Sequence, residues 1–296
     1  MRRSLGVAIV VLSWFSAGSL MADTIPLFST GSPDGKMATL SRPAGPGGLE
    51  TETADDFVLG QAANVTNATF FGLLPTGASL SSVTGVDIEL YHVFPVDSVN
   101  PPDGRVVSRV NSPSDNEFAA FDSAGGSLSF SAKILNPSLT AANSVVDGIF
   151  AKPNQFTGGE GAVTGEEVEF DITFLTPFFV DATDHDFFRP QVELSDGTFL
   201  WLSAPRPIVS PGNPLQFPGG TTDLQTWIRN DGSGGLAPDW ERIGTDVTGQ
   251  GPFNAAFSLS GSPVPEPSDM VLAGTGLCAL ALLVLLQRRR SAFNCG

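Results

Sequence analysis

The sequence predicts an all-β chain: an antiparallel β-sandwich of jelly-roll kind, flanked by an N-terminal signal helix and one C-terminal transmembrane helix. Three observations lead there. Apolar and polar residues alternate with a period of two in several short runs, the pattern of strands with one buried and one wet face. The 296 residues include 33 Gly and 23 Pro, many of them placed between those runs as turn punctuation. From residue 23 to residue 260 no stretch of convincing length repeats with a helical period.

Residues 1–22 open with Arg2 and Arg3, run through the apolar stretch from Leu5 to Phe15 and end in small residues around Ala17 to Ala22. That order is the one a secretory signal peptide needs, and the apolar run is shorter than the roughly 20 residues of a bilayer span. Cleavage is expected after Ala22.

Residues 23–260 form the exported domain. Val86, Ile88, Leu90 and His92 alternate with Asp87, Glu89 and Tyr91; Val168, Phe170, Ile172 and Phe174 alternate with Glu167, Glu169, Asp171 and Thr173. Further strands are expected at Asp56 to Leu59, Ala68 to Leu74, Arg105 to Val110, Leu128 to Ile134, Val145 to Ala151, Phe188 to Leu194, Thr198 to Ser203, Thr226 to Arg229 and Phe253 to Leu259. Ser195-Asp196-Gly197 reads as a hairpin turn between two of them. About ten short one-sided strands bury their apolar faces most simply as two stacked sheets, with a barrel as the alternative. The segments from Thr30 to Gly48 and from Pro205 to Gly220 read as long surface loops.

Residues 261–269 hold Pro263, Pro265 and Pro267, which remove backbone donors and keep the chain extended as a linker. Residues 270–287 follow as the predicted transmembrane helix. Its uncharged part, Met270 to Leu286, has the length of a short span, about 25 Å as a helix. Residues 288–296 begin with Arg288, Arg289 and Arg290, a basic cluster that anchors this end in the cytoplasm, where Arg2 and Arg3 also start. Both ends therefore fall inside and the domain outside.

Ten Lys and Arg face thirty-one Asp and Glu between the two basic ends, a net charge of −21. Such a surface repels phosphate backbones and anionic lipids, which argues against nucleic-acid binding. The only cysteines, Cys278 and Cys295, lie beyond the domain, so no disulfide staples it and a packed core must hold it.

Chemistry has few places to reside. A nucleophile and base need a histidine, and only His92 and His185 exist; His92 sits on the apolar face of its strand, where a packed histidine is the simpler reading. Neither a Gly-x-Ser-x-Gly elbow nor a zinc spacing is present. Asp181, Asp184 and Asp186 form an acidic turn whose hard oxygens suit calcium, though without the spacing of an EF-hand. Asp55 with Asp56, or Glu167 with Glu169, offer the two carboxylates of a glycosidase, while a wet sheet face explains the second pair more simply. Trp201 lies in the two-sided apolar run Phe199-Leu200-Trp201-Leu202 and reads as core. Trp227 and Trp240 border Gly-rich turns and are the candidate sugar-binding platforms if exposed, while packing into the domain is the simpler reading of both.

Val264-Pro265-Glu266-Pro267-Ser268, the apolar run and the arginine cluster together resemble the PEP-CTERM sorting domain. The resemblance covers about thirty residues, and the six residues after Arg290 extend slightly past the usual end. It implies a Gram-negative bacterium that makes extracellular polysaccharide, an exosortase that reads Pro265, Glu266 and Pro267, and processing near that element. The run from Glu52 to Leu59 followed by Ala68-Thr-Phe-Phe-Gly, and the closing stretch from Trp240 to Gly261, look like parts of β-sandwich ectodomains that carry the same tail. These imply fold without chemistry.

The expected function is thus an exported, non-enzymatic envelope or extracellular protein. Its partners would be the export machinery and an exosortase, the membrane through its C-terminal helix, and extracellular polysaccharide after sorting or release. A secreted polysaccharide hydrolase and a calcium-stabilised adhesion module are the alternatives.

Overall fold

The computed structural model describes residues 24–45, 48–94, 110–146, 156–182, 184–206, 223–230, 240–264 and 276–284. The predicted signal peptide, the Pro265-Glu266-Pro267 element and the Arg288 to Arg290 cluster lie outside them, as do most of the Arg105 to Val110 run and residues 207–222.

The described residues are built of β-strands in two sheets. β1 (Ile25–Ser29), β2 (Met37–Leu40), β4 (Ala63–Pro75), β7 (Leu128–Ala141), β8 (Asn143–Val145), β9 (Val163–Val180), β11 (Leu200–Ala204), β14 (Asn254–Ala255) and β15 (Phe257–Pro263) form the larger one. The smaller runs in the order β13 (Glu241–Arg242), β12 (Trp227–Asn230), β3 (Thr51–Val58), β10 (His185–Leu194), β5 (Val83–Val93), β6 (Pro113–Asp122). The strands β5 and β9, where the alternation is clearest, lie in different sheets and turn Val86, Ile88 and Leu90 against Val168, Phe170 and Ile172 in one shared core.

That core is aromatic. Phe188 of β10 stacks on Phe257 of β15 at 5.0 Å between ring centroids, and Phe70 of β4 stacks on Phe170 of β9 at 4.9 Å. Such pairs add roughly 0.5–1.5 kcal/mol each beyond their buried area. Trp201 is fully buried among them, as its two-sided apolar run predicts, and its indole N–H donates to the Ala256 carbonyl at 3.0 Å.

Several strands depart from the expectation. Met37–Leu40 is a wholly buried strand inside the segment read as a loop, and it pairs with β8 in parallel, the exception among antiparallel registers. A four-residue strand bounded by Gly and Pro is too short to display a period. β6 begins at Pro113 on the free edge of the smaller sheet, where a missing backbone donor does no harm, and its polar sequence concealed it. β3 starts at Thr51, five residues before the predicted strand, because Thr-Glu-Thr-Ala-Asp is buried despite its polarity.

The Ser195-Asp196-Gly197 turn exists but is no hairpin. It carries the chain from β10 in the smaller sheet to β11 in the larger one. Gly197 has φ +81°, and a Cβ there would come within 2.4 Å of the Pro75 ring, so this crossing requires glycine.

Residues 276–284 are helical, and every one of them is exposed. Among the described residues no helix is long and apolar enough to cross a membrane.

Candidate functional site

β3 is where the unusual residues meet. It lies between β12 and β10, and all eight of its residues are buried. Successive side chains point to opposite faces of a strand, so Asp55 and Phe57 turn one way while Glu52, Ala54 and Asp56 turn the other. The two faces solve the burial of polar groups differently.

On the first face Thr53 donates its hydroxyl to the Leu40 carbonyl at 2.8 Å, tying β3 to β2 of the other sheet. Asp55 accepts from the Thr226 hydroxyl at 3.0 Å and from the Ala255 amide at 3.0 Å. Its carboxyl is fully buried, and burial, followed by the neighbouring Asp56 and Asp223 charges, pushes its pKa well above the ordinary value. Among the described residues its hydrogen-bond partners are that hydroxyl and that amide, with no cation.

On the second face Glu52 sits beneath two guanidinium groups. Arg229 binds its Oε2 through Nε, and Arg189 Nε lies 3.2 Å from its Oε1. Tyr91 Oη is 2.9 Å from the same Oε1, touches Glu89, and accepts from Arg229 Nη2 at 3.1 Å. Burial pushes the Glu52 carboxyl up, but the Arg229 and Arg189 charges and the hydrogen bonds outweigh it and hold the pKa at about 2. Register explains the assembly: Arg229 is opposite Glu52 across β12–β3, and Arg189 is opposite Glu89 across β10–β5.

Trp227 and Trp240 belong to this cluster and are not exposed platforms; both are buried, with Ala54, Tyr91 and Phe187 around them. The Arg229 guanidinium lies 4.5 Å from the Trp240 ring centroid, a cation–π contact. The Gly-rich turn beside them suggested exposure, whereas the partner that buries them, β3, is far away in sequence.

Asp56 holds a loop. Its carboxylate accepts from the amides of Leu224 and Gln225 at 3.0 and 3.3 Å and lies 2.6 Å from His185 Nε2. Asp55 and Asp56 therefore face opposite ways and do not form the carboxylate pair a glycosidase needs. Glu167 and Glu169 lie on the partly exposed face of β9, as a wet sheet face predicts.

The acidic turn is divided as well. Asp186 is buried and bonded to His92 Nδ1 at 2.8 Å, while Asp181 and Asp184 are exposed. The described residues contain no group of three or more His, Cys, Asp or Glu able to hold a metal. His92 stacks on Phe118 at 4.2 Å, so the histidine read as packed does lie against an aromatic ring.

Sequence reasoning missed the Glu52, Arg189, Arg229 and Tyr91 cluster. One signal was present: a chain poor in basic residues places Arg189 and Arg229 inside predicted strands, and a buried arginine needs a carboxylate. Comparison with known protein families, with curated proteins and with solved structures found no match for the chain.

Proposed function

We propose that this chain is an exported, non-enzymatic protein of the cell envelope or extracellular matrix, sorted through a PEP-CTERM-type tail and associated there with extracellular polysaccharide. In this reading the two sheets are a β-sandwich ectodomain of jelly-roll kind. A signal helix precedes it, and a single transmembrane helix at residues 270–287 holds it at the inner membrane until an exosortase acts near Pro265-Glu266-Pro267.

The observation that carries the reading is the helix at residues 276–284, which presents Leu277, Leu280, Leu282, Leu283 and Val284 at 45–66% exposure. An apolar helix with no packed face has its natural solvent in lipid. It stands between the Pro-Glu-Pro linker and the arginine cluster, the place a stop-transfer segment occupies. The use of the buried β3 carboxylates to fasten strands and loops supports a structural part for them over a catalytic one.

Replacing Pro265-Glu266-Pro267 with three alanines tests the sorting step. The variant should accumulate at full length in the inner membrane of the native host, while the parent is shortened and leaves it. Equal release of both proteins would remove the sorting reading.

A further inference from the structure

The chain just after β2 and the crossing from β10 to β11 enclose a cleft of about 430 Å³. Pro43, Ala44 and Leu194 give it apolar walls, while the exposed Glu193 and Asp196 bring negative charge to it. Arg42 lines the same cleft and differs from the other described arginines. Arg189, Arg206, Arg229 and Arg242 each pair with a carboxylate. Arg42 is only 8% exposed, yet among the described residues its guanidinium has no ion pair and a single hydrogen bond, from Nε to the Leu49 carbonyl at 3.2 Å.

Its outer nitrogens, Nη1 and Nη2, make no hydrogen bond among the described residues and, unlike Arg189 Nη1, are not shut off from solvent. A guanidinium set this deep calls for an anion, and its outer edge is the planar fork that matches a carboxylate with two parallel bonds. The backbone fixes the fork where it is. Arg42 and Thr51 exchange backbone hydrogen bonds at 2.9 and 3.0 Å, and Gly45 and Gly48 exchange theirs at 3.2 and 3.0 Å. A Cβ at Gly48 would run into Arg42 Nη2, so glycine there leaves the guanidinium its position.

We propose that this cleft binds one uronic acid unit of an acidic polysaccharide. The sugar carboxylate accepts from Arg42 Nη1 and Nη2, the ring lies against Pro43 and Leu194, and ring hydroxyls donate to Glu193 and Asp196. The volume falls within the roughly 300–1,000 Å³ of small-ligand pockets. A neutral sugar leaves Arg42 without an anion, and a phosphate sets a second negative charge against Glu193 and Asp196. A bare carboxylate such as acetate has no hydroxyls to give them.

The site rests on the reading that the domain meets extracellular polysaccharide, and the two fail separately: sorting is read from the mass of the protein in cell fractions, the site from binding. The full-length chain in detergent is titrated calorimetrically with glucuronate and galacturonate, and with the methyl ester of each, glucose, glucose 6-phosphate and acetate as comparisons. At least one uronate should bind. Its methyl ester, glucose, and the uronate itself on the Arg42→Gln variant should each bind about tenfold or more weakly, the worth of one charge-assisted hydrogen bond. Glucose 6-phosphate and acetate should also bind more weakly than the uronate. Arg42→Gln removes a deeply set cation that no carboxylate matches, so it should keep or raise the thermal midpoint, and lost binding then cannot be ascribed to lost fold. Were that variant to unfold, the methyl ester titrated into the parent chain would decide alone. No binding of either uronate, equal binding of its ester, or an unaffected Arg42→Gln variant would overturn the proposal. Acetate or glucose 6-phosphate binding as tightly as the uronate would overturn the choice of a sugar acid.

Discussion

Glu52 and Asp55 stand three positions apart on the same strand, both buried, and their surroundings move their carboxyl groups in opposite directions. Glu52 lies between two guanidinium groups and is held charged, with a pKa of about 2. Asp55 meets a hydroxyl and an amide and, among the described residues, no cation, and its pKa rises well above the ordinary value. Burial is common to both, so it is the partner on the far strand that decides the charge. On one face the smaller sheet closes over an ion-paired cluster; on the other, the Asp55 carboxyl, shared between Thr226 just before β12 and Ala255 of β14, links the two sheets.

The largest effect should come from removing the carboxylate that the two arginines share. Glu52→Gln leaves Arg229 and Arg189 buried with too little negative charge and should lower unfolding free energy by about 3–5 kcal/mol in urea titrations at neutral pH. A loss under about 1 kcal/mol would mean that the cluster behaves like a surface ion pair. Thr226→Val removes one of the two donors to Asp55 and should cost about 1–3 kcal/mol, the range for a buried polar group deprived of a partner. If that variant were as stable as the parent, the proposed link from Asp55 to the start of β12 would fail.

The smallest and sharpest contrast is in pH. The pKa of Glu52 is lower in the folded chain than its ordinary 4.5, so its contribution is present above 4.5 and lost as pH falls toward about 2. Asp55 has a folded pKa above its ordinary 3.8, so its contribution is greatest below 3.8 and is lost as pH rises through the folded value. The penalty of Glu52→Gln should accordingly shrink on acidification below 4.5. The stability of Asp55→Asn relative to the parent should instead improve as pH rises from 3.8. Parallel slopes for the two variants, measured by urea unfolding across that range, would contradict the contrast.

How much of this the sequence revealed depends on the range of the interaction. Strands β5 and β9 were legible because alternation is local, and Trp201 was legible because its neighbours are apolar on both sides. The Ser195-Asp196-Gly197 turn was legible as a turn, but nothing local distinguishes a hairpin from a crossing between sheets; that depends on which strands accept β10 and β11. β2 and β6 escaped, one for its shortness and one for its polarity. The packing of Trp227 and Trp240 was only half legible because their burial comes from β3, and the Glu52 to Arg229 pair joins residues 177 positions apart. The polar residues Thr51 to Asp55 gave no sign that the strand begins before Asp56, since the hydrogen-bond partners of this stretch come from β2, β10, β14 and Thr226 just before β12.

Export followed by sorting through the tail is the central claim, and the intact mass of the protein recovered from the cytoplasm, envelope and medium of its native host tests it most directly. The account predicts a species that begins at Asp23 and ends within residues 261–269, found at the cell surface or in the medium. A single species of full length, with residues 1–22 and Arg288 to Arg290 both retained and confined to the cytoplasm, would contradict it.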